Sequence, residues 1–358
     1  MARHRRGLRT LSALCVAAFT LCGLAVAEES SGWLSRGPGQ FRQDVRLPGT
    51  AQELAIFGST WDASKSLAWF ATESGLYSLD SSGGWTRFGR AEGLPSEVTR
   101  AVAVDGRGRA WCGTAAGPAF MEGAGFRRVE ASSGGPLTAD VWTICHDGET
   151  TWIGTDEGLF EVSDGRVRRR FTTREAPLGE NWISGVAADG KGNVWVAVWL
   201  GGVARFDGKG WTAWRDPDGR LEADERPDDG LLSDAATSVA IEAGGTIAVG
   251  TSSGVSQFDG WRWRDAWLGP VSYVEPAREG RTLLAGTPDG LLILESGLAR
   301  RYHRSAELLP AGAVSGQGSA TGRTRGALPS GEVFTAAEAG GRIFVGTRKG
   351  LAVLEMAP

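Results

Sequence analysis

Cys145 and His146 stand side by side, the closest this sequence comes to a nucleophile beside its base. Neighbours on a strand face opposite ways, so the two cannot act as a catalytic pair. After an N-terminal leader the only histidines are His146 and His303. Neither Gly-x-Ser-x-Gly nor Cys-x-x-Cys occurs, and no histidine cluster of metal-site type is present. No cofactor is expected. Cys112 and Cys145 are the two cysteines beyond the leader. They read either as a disulfide formed in an oxidising compartment or as two small buried hydrophobes. Oxygen ligands gather at Asp216, Asp218 and Glu222, a weak calcium candidate. The spacing departs from that of an EF-hand loop, and a solvated mobile loop is the competing reading.

Binding chemistry is better supplied. Trp142, Trp182 and Trp199 fall outside the regular pattern of tryptophans described below and could contact a ligand, or simply pack. Glu97, Asp140, Asn181, Asp234 and Glu332 each precede a strand-like run. They read as local turn bonds to backbone, or as an acidic rim for a cation. Arg127, Arg128, Arg168, Arg169 and Arg170 form a basic patch on what read as outer strands.

What positions these residues is a repeat. The run Trp-x-Gly-Thr-x-x-Gly-Leu recurs as WFATESGL from Trp69, WCGTAAGP from Trp111, WIGTDEGL from Trp152 and WVAVWLGGV from Trp195. It continues as AVGTSSGV, LAGTPDGL and FVGTRKGL from Ala248, Leu284 and Phe344. The Thr position falls at 72, 114, 155, 198 (a valine), 251, 287 and 347. Spacings of 42, 41 and 43 are those of one propeller blade, and 53, 36 and 60 imply insertions. Each copy carries an alternating strand upstream and, in most, two strands downstream, four per unit. Recurrence of Trp69, Trp111, Trp152 and Trp195 at one strand position predicts packing between blades, about 2–3 kcal/mol of burial each. The seventh copy ends before a fourth strand, and Gln40–Val45 at the other end of the chain supplies one. The expectation is therefore all-β: a seven-bladed β-propeller of four-stranded antiparallel blades, the last closed by an N-terminal strand.

Residues 1–27 read as a signal peptide, with Arg3, Arg5, Arg6 and Arg9, an apolar run to Leu24, and cleavage after Ala27. Residues 28–39 read as a lead-in and 40–358 as the propeller, with flexible insertions at about 215–232 and 305–331. Without the leader's four arginines, 34 basic residues face 42 acidic ones, a net of −8. That argues against nucleic acid and anionic membrane surfaces as partners. Neither the leader's apolar run nor any later stretch is long and apolar enough to span a bilayer.

Gly93-Leu94-Pro95-Ser96-Glu97-Val98, Asp105 and Trp111-x-Gly113-Thr114 resemble the two-component regulator propeller repeat, over about residues 40–358. The resemblance implies a periplasmic or secreted sensor-like propeller. In that family such repeats often precede a kinase, and here the stand-alone form is expected. The sequence thus predicts a monomeric exported propeller that binds or scaffolds an unknown protein or glycan without catalysis. The rival reading is a polysaccharide-active, lyase-like enzyme, which would need tyrosine, histidine or acidic groups converging on one channel mouth.

Overall fold

The computed structural model describes residues 40–42, 47–48, 54–216, 230–277, 282–295, 298–303, 308–310, 328–339 and 341–355. The predicted signal peptide, the lead-in and most of both insertions lie outside these residues.

Seven antiparallel sheets form a seven-bladed β-propeller. The innermost strands are Ile56–Asp62, Thr99–Val104, Val141–Asp147, Ile183–Ala188, Ala236–Ile241, Tyr273–Pro276 and Val333–Ala339, which open blades one to seven. The last blade takes its outer strand from Gln40–Arg42, paired Gln40 to Glu355, Phe41 to Leu354 and Arg42 to Val353. Blade six differs from the four-strand expectation. Leu308–Pro310, within the predicted second insertion, pairs with Arg300, Arg301 and Tyr302 as a fifth strand. It covers an edge that would otherwise present unpaired backbone groups, with a proline at the end of the outermost strand, where ladder donors are not required.

The repeat motif is a set of local solutions. Thr72, Thr114, Thr155, Thr251, Thr287 and Thr347 each donate a hydroxyl hydrogen bond to the carbonyl of the glycine three residues on, at 2.7–3.0 Å. The same hydroxyl accepts the N–H two residues on, which closes the turn between second and third strands. The glycine of Gly-Thr has a different cause. A Cβ at Gly154 would stand 2.7 Å from Ile183 Cγ2, and one at Gly346 would stand 2.8 Å from Ile56 Cγ2. The five blades with this glycine (113, 154, 250, 286 and 346) meet Val141, Ile183, Val271, Val333 and Ile56, which open the next inner strand or, for Val271, stand two residues before it. In the two blades with alanine, Ala71 and Ala197, the next inner strand begins with the smaller Thr99 and Ala236, and Ala197 shares a cluster with Ala236.

The core is seven apolar clusters, one in each gap between blades. Trp69, Trp111, Trp152 and Trp195 are buried in four of them, as their periodicity predicts. The Trp111 indole also donates to Asp105 Oδ2 at 3.0 Å, joining the motif's aspartate to its tryptophan. Cys112 and Cys145 are not bridged. Cys112 lies in the cluster between blades one and two, whereas Cys145 packs on the one between blades three and four. Their side chains therefore point away from each other across two blades.

Candidate functional site

Six inner strands carry a β-bulge at the same register, between Ile56 and Gly58, Thr99 and Ala101, Val141 and Thr143, Ile183 and Gly185, Ala236 and Ser238, and Val333 and Thr335. A bulge leaves one residue outside the ladder and re-aims its side chain. The six freed residues are Phe57, Arg100, Trp142, Ser184, Thr237 and Phe334. Ser272 holds the same place in blade six, just before the Tyr273–Gly286 pair. All seven line a central cavity of about 1000 Å³. The bulges thus make a ring at one mouth of the channel, one residue per blade.

The two halves of the ring differ. Over blades four, five and six the ring residues are hydroxyls already engaged with the next blade's backbone. Ser184 Oγ donates to the Ala236 carbonyl (2.7 Å), Thr237 Oγ1 to that of Val271 (2.9 Å) and Ser272 Oγ to that of Val333 (2.6 Å). Over blades seven to three the ring is Phe334, Phe57, Arg100 and Trp142. Phe57 and Phe334 pack with centroids 5.7 Å apart. The Arg100 guanidinium lies 4.3 Å from the Trp142 ring centroid, a cation–π contact. It is held there by a two-pronged pair with Asp140, at 2.9 and 3.1 Å.

Trp182 and Trp199 extend this aromatic half. Trp182 lies 5.0 Å from Trp142 and 6.0 Å from Trp199, and is 40% exposed. Trp199 reaches the mouth because blade four breaks the repeat turn. Val198 cannot make the threonine bond, one residue is added, and Leu200 takes the left-handed φ of 60°. The three tryptophans singled out by sequence therefore form one cluster, and all three line the cavity.

The predicted acidic rim is a set of internally satisfied groups. Glu97 pairs with Arg87 at 2.7 Å and accepts Arg90 N–H at 3.0 Å. Asp140 pairs with Arg100, and Glu332 with Arg348 at 3.2 Å. Asp234 accepts Asp216 N–H at 2.9 Å, and Asn181 accepts Thr173 N–H at 2.9 Å. Asp218 and Glu222, the other members of the calcium candidate, lie outside the described residues. Among the described residues no group of three or more histidine, cysteine, aspartate or glutamate side chains is placed to hold a metal. Four of the five arginines of the basic patch are likewise engaged: Arg127 pairs with Glu122 and Glu130, Arg169 with Glu161, Arg170 with Glu157, and Arg128 donates to the Ala116 carbonyl.

Cys145 lines the cavity, where burial pushes its thiol up to about 11. His146 faces away, 5.5 Å edge-on to Trp111 and 3.0 Å from Thr151 Oγ1, and burial takes its pKa down to about 4. Only the strand backbone of His303 is described. The carboxyl that sequence reasoning missed is Glu275, deeper in the cavity wall. It has no hydrogen bond or ion pair among the described residues, and burial raises its pKa to about 8. Arg100, Phe57 and Phe334 were also beyond the sequence patterns, since a one-residue bulge looks like ordinary alternation.

No protein-family model matches the sequence, and no curated protein matches it. Solved structures do match in fold. Two extracellular domains of hybrid two-component systems from B. thetaiotaomicron superpose with TM-scores of 0.65 and 0.66 at 17% and 16% identity, over 89% of this chain. This chain spans about two fifths of their length (41% and 43%). Virginiamycin B lyase from Staphylococcus aureus matches with a TM-score of 0.59 at 11% identity, over 89% of this chain and all of its own. At these identities the likeness is one of fold. Among the described residues no helix is long and apolar enough to cross a membrane.

Proposed function

We propose that this chain is an exported, sensor-like binding propeller that captures its ligand at the aromatic half of the channel mouth. The observation that carries this reading is the bulge ring. One geometric device, repeated in six blades, presents side chains that vary from blade to blade, and Trp142 among them is contiguous with Trp182 and Trp199. Flat aromatic faces beside a fixed guanidinium suit a planar group or the apolar face of a sugar ring, so a glycan or an aromatic-bearing ligand fits best. The extracellular setting of the two-component neighbours supports export, as does the leader-like N-terminus.

The rival, a polysaccharide-active enzyme, finds less support. His146 points away from the cavity, and Tyr273 Oη is engaged with the Ala336 carbonyl at 3.3 Å. The test is tryptophan fluorescence of the chain from residue 28, titrated with a glycan panel and with fractionated periplasmic small molecules. Binding should quench the mouth cluster, and Trp182→Ala with Trp199→Ala should weaken it at least about tenfold. Equal affinity of the double variant, or turnover of a bound polysaccharide, overturns the reading.

A further inference from the structure

Glu275 occupies a register position that the other blades fill with small groups. It pairs with Leu284 in the ladder, and the equivalent residues are Thr60, Ala103, Cys145, Ala187, Ala240 and Ala337. Four of these six are alanine, so the channel is wide at this level and its wall is apolar. The Cys145 thiol is neutral there. Glu275 is the one carboxyl of the ring.

Among the described residues its surroundings offer no countercharge. Tyr273 shares its strand face, two residues away, and leans on blade seven through the bond to Ala336. The inner strand of blade five, Ala236–Ile241, carries no charged residue, and neither does Thr282–Thr287 alongside. The inner strand of blade seven carries only Glu338, on the face that Ala336 and Ile343 turn toward blade six, a second carboxyl and not a cation. An apolar wall with one carboxyl is unfavourable for the empty channel and favourable for an occupant that brings the missing positive charge. Three strand residues separate Glu275 from the mouth ring at Ser272, or about 10 Å.

The geometry points to a ligand that carries a protonated amine on an apolar or aromatic body. Its amine pairs with the Glu275 carboxylate inside the channel, and its body extends through the shared cavity to lie against Trp142, Trp182 and Trp199. This rests on the mouth being a binding site and adds the chemical class of what it binds. The empty channel keeps Glu275 largely protonated at neutral pH, so capture of the amine releases that proton to solvent.

The probes are a series of ω-phenylalkylamines of increasing chain length and the matching ω-phenylalkanols, read by tryptophan fluorescence and by calorimetry in buffers of different ionisation enthalpy. The amine of best-fitting length should bind about tenfold or more tightly than its alcohol at pH 8. Its affinity should fall as pH drops from 8 to 6, with close to one proton released per amine bound at pH 6.5. Glu275→Gln should erase both the preference for amine and the proton release while leaving alcohol binding intact. An amine that binds Glu275→Gln as well as the unaltered chain, equal affinity for amine and alcohol, or failure of every amine to bind overturns the inference. Alcohol binding that persists in those cases, and is lost in Trp182→Ala with Trp199→Ala, leaves the mouth reading standing without it.

Discussion

Two partly buried titratable groups give the propeller opposite responses to pH. Glu275 has its pKa raised from 4.5 to about 8, so the folded state holds a proton that the unfolded chain has lost. Stability therefore declines as pH rises through that interval. Glu275→Gln should flatten this decline, so its melting temperature should exceed that of the parent chain at pH 8.5 by more than at pH 5. His146 works the other way, its pKa lowered from 6.5 to about 4 by burial. The fold keeps it neutral, and that contribution, intact above pH 6.5, is lost as pH falls toward 4. His146→Phe should leave a smaller loss of melting temperature between pH 7 and pH 4 than the parent shows. A buried carboxyl that weakens its own fold at neutral pH is the kind of local conflict associated with functional positions.

The turns and the inter-blade glycines give predictions at the level of the element. Thr155→Val removes a buried hydroxyl bond and should cost about 1 kcal/mol in denaturant unfolding. Gly154→Ala forces a Cβ toward Ile183 and should cost about 1–3 kcal/mol, whereas Ala197→Gly, facing Ala236, should cost less than Gly154→Ala. In blade four, replacing Val198 by Thr and deleting Leu200 restores the common turn. That variant should gain stability and lose quenching at the mouth, because Trp199 is withdrawn. These elements also mark what is legible in the sequence. The Trp-x-Gly-Thr-x-x-Gly spacing exposes the blades because every copy solves the same turn and the same packing contact. Trp199 is visible as the place where that solution fails. Phe57, Arg100 and Phe334 are hidden, since a bulge shifts one residue within a strand that still reads as alternating. Glu275 is hidden for another reason: its short inner strand is bracketed by Pro270 and Pro276 and lacks the upstream pattern of the other copies.

For the whole molecule, closure joins the two ends of the chain. Leu47 is buried with Ile56, Phe70, Phe344 and Val353 in the gap between blades seven and one, and Gln40–Arg42 completes the last sheet. A chain starting at residue 54 should melt at a clearly lower temperature and expose blade seven to protease before blade three, which limited proteolysis with mass spectrometry would detect. The bulged ring has a consequence of another kind. A residue outside the ladder can be exchanged without disturbing strand pairing, whereas its neighbours in register cannot. The propeller therefore holds four positions, 57, 100, 142 and 334, at which the mouth can be rewritten nearly independently of folding, whereas Ser184 and Thr237 also bond the next blade. Saturation mutagenesis scored for both abundance and binding should find these four tolerant in the first measure and sensitive in the second. The repeat then works as a frame with a few interchangeable letters at its mouth, and on the proposed function those letters spell the ligand.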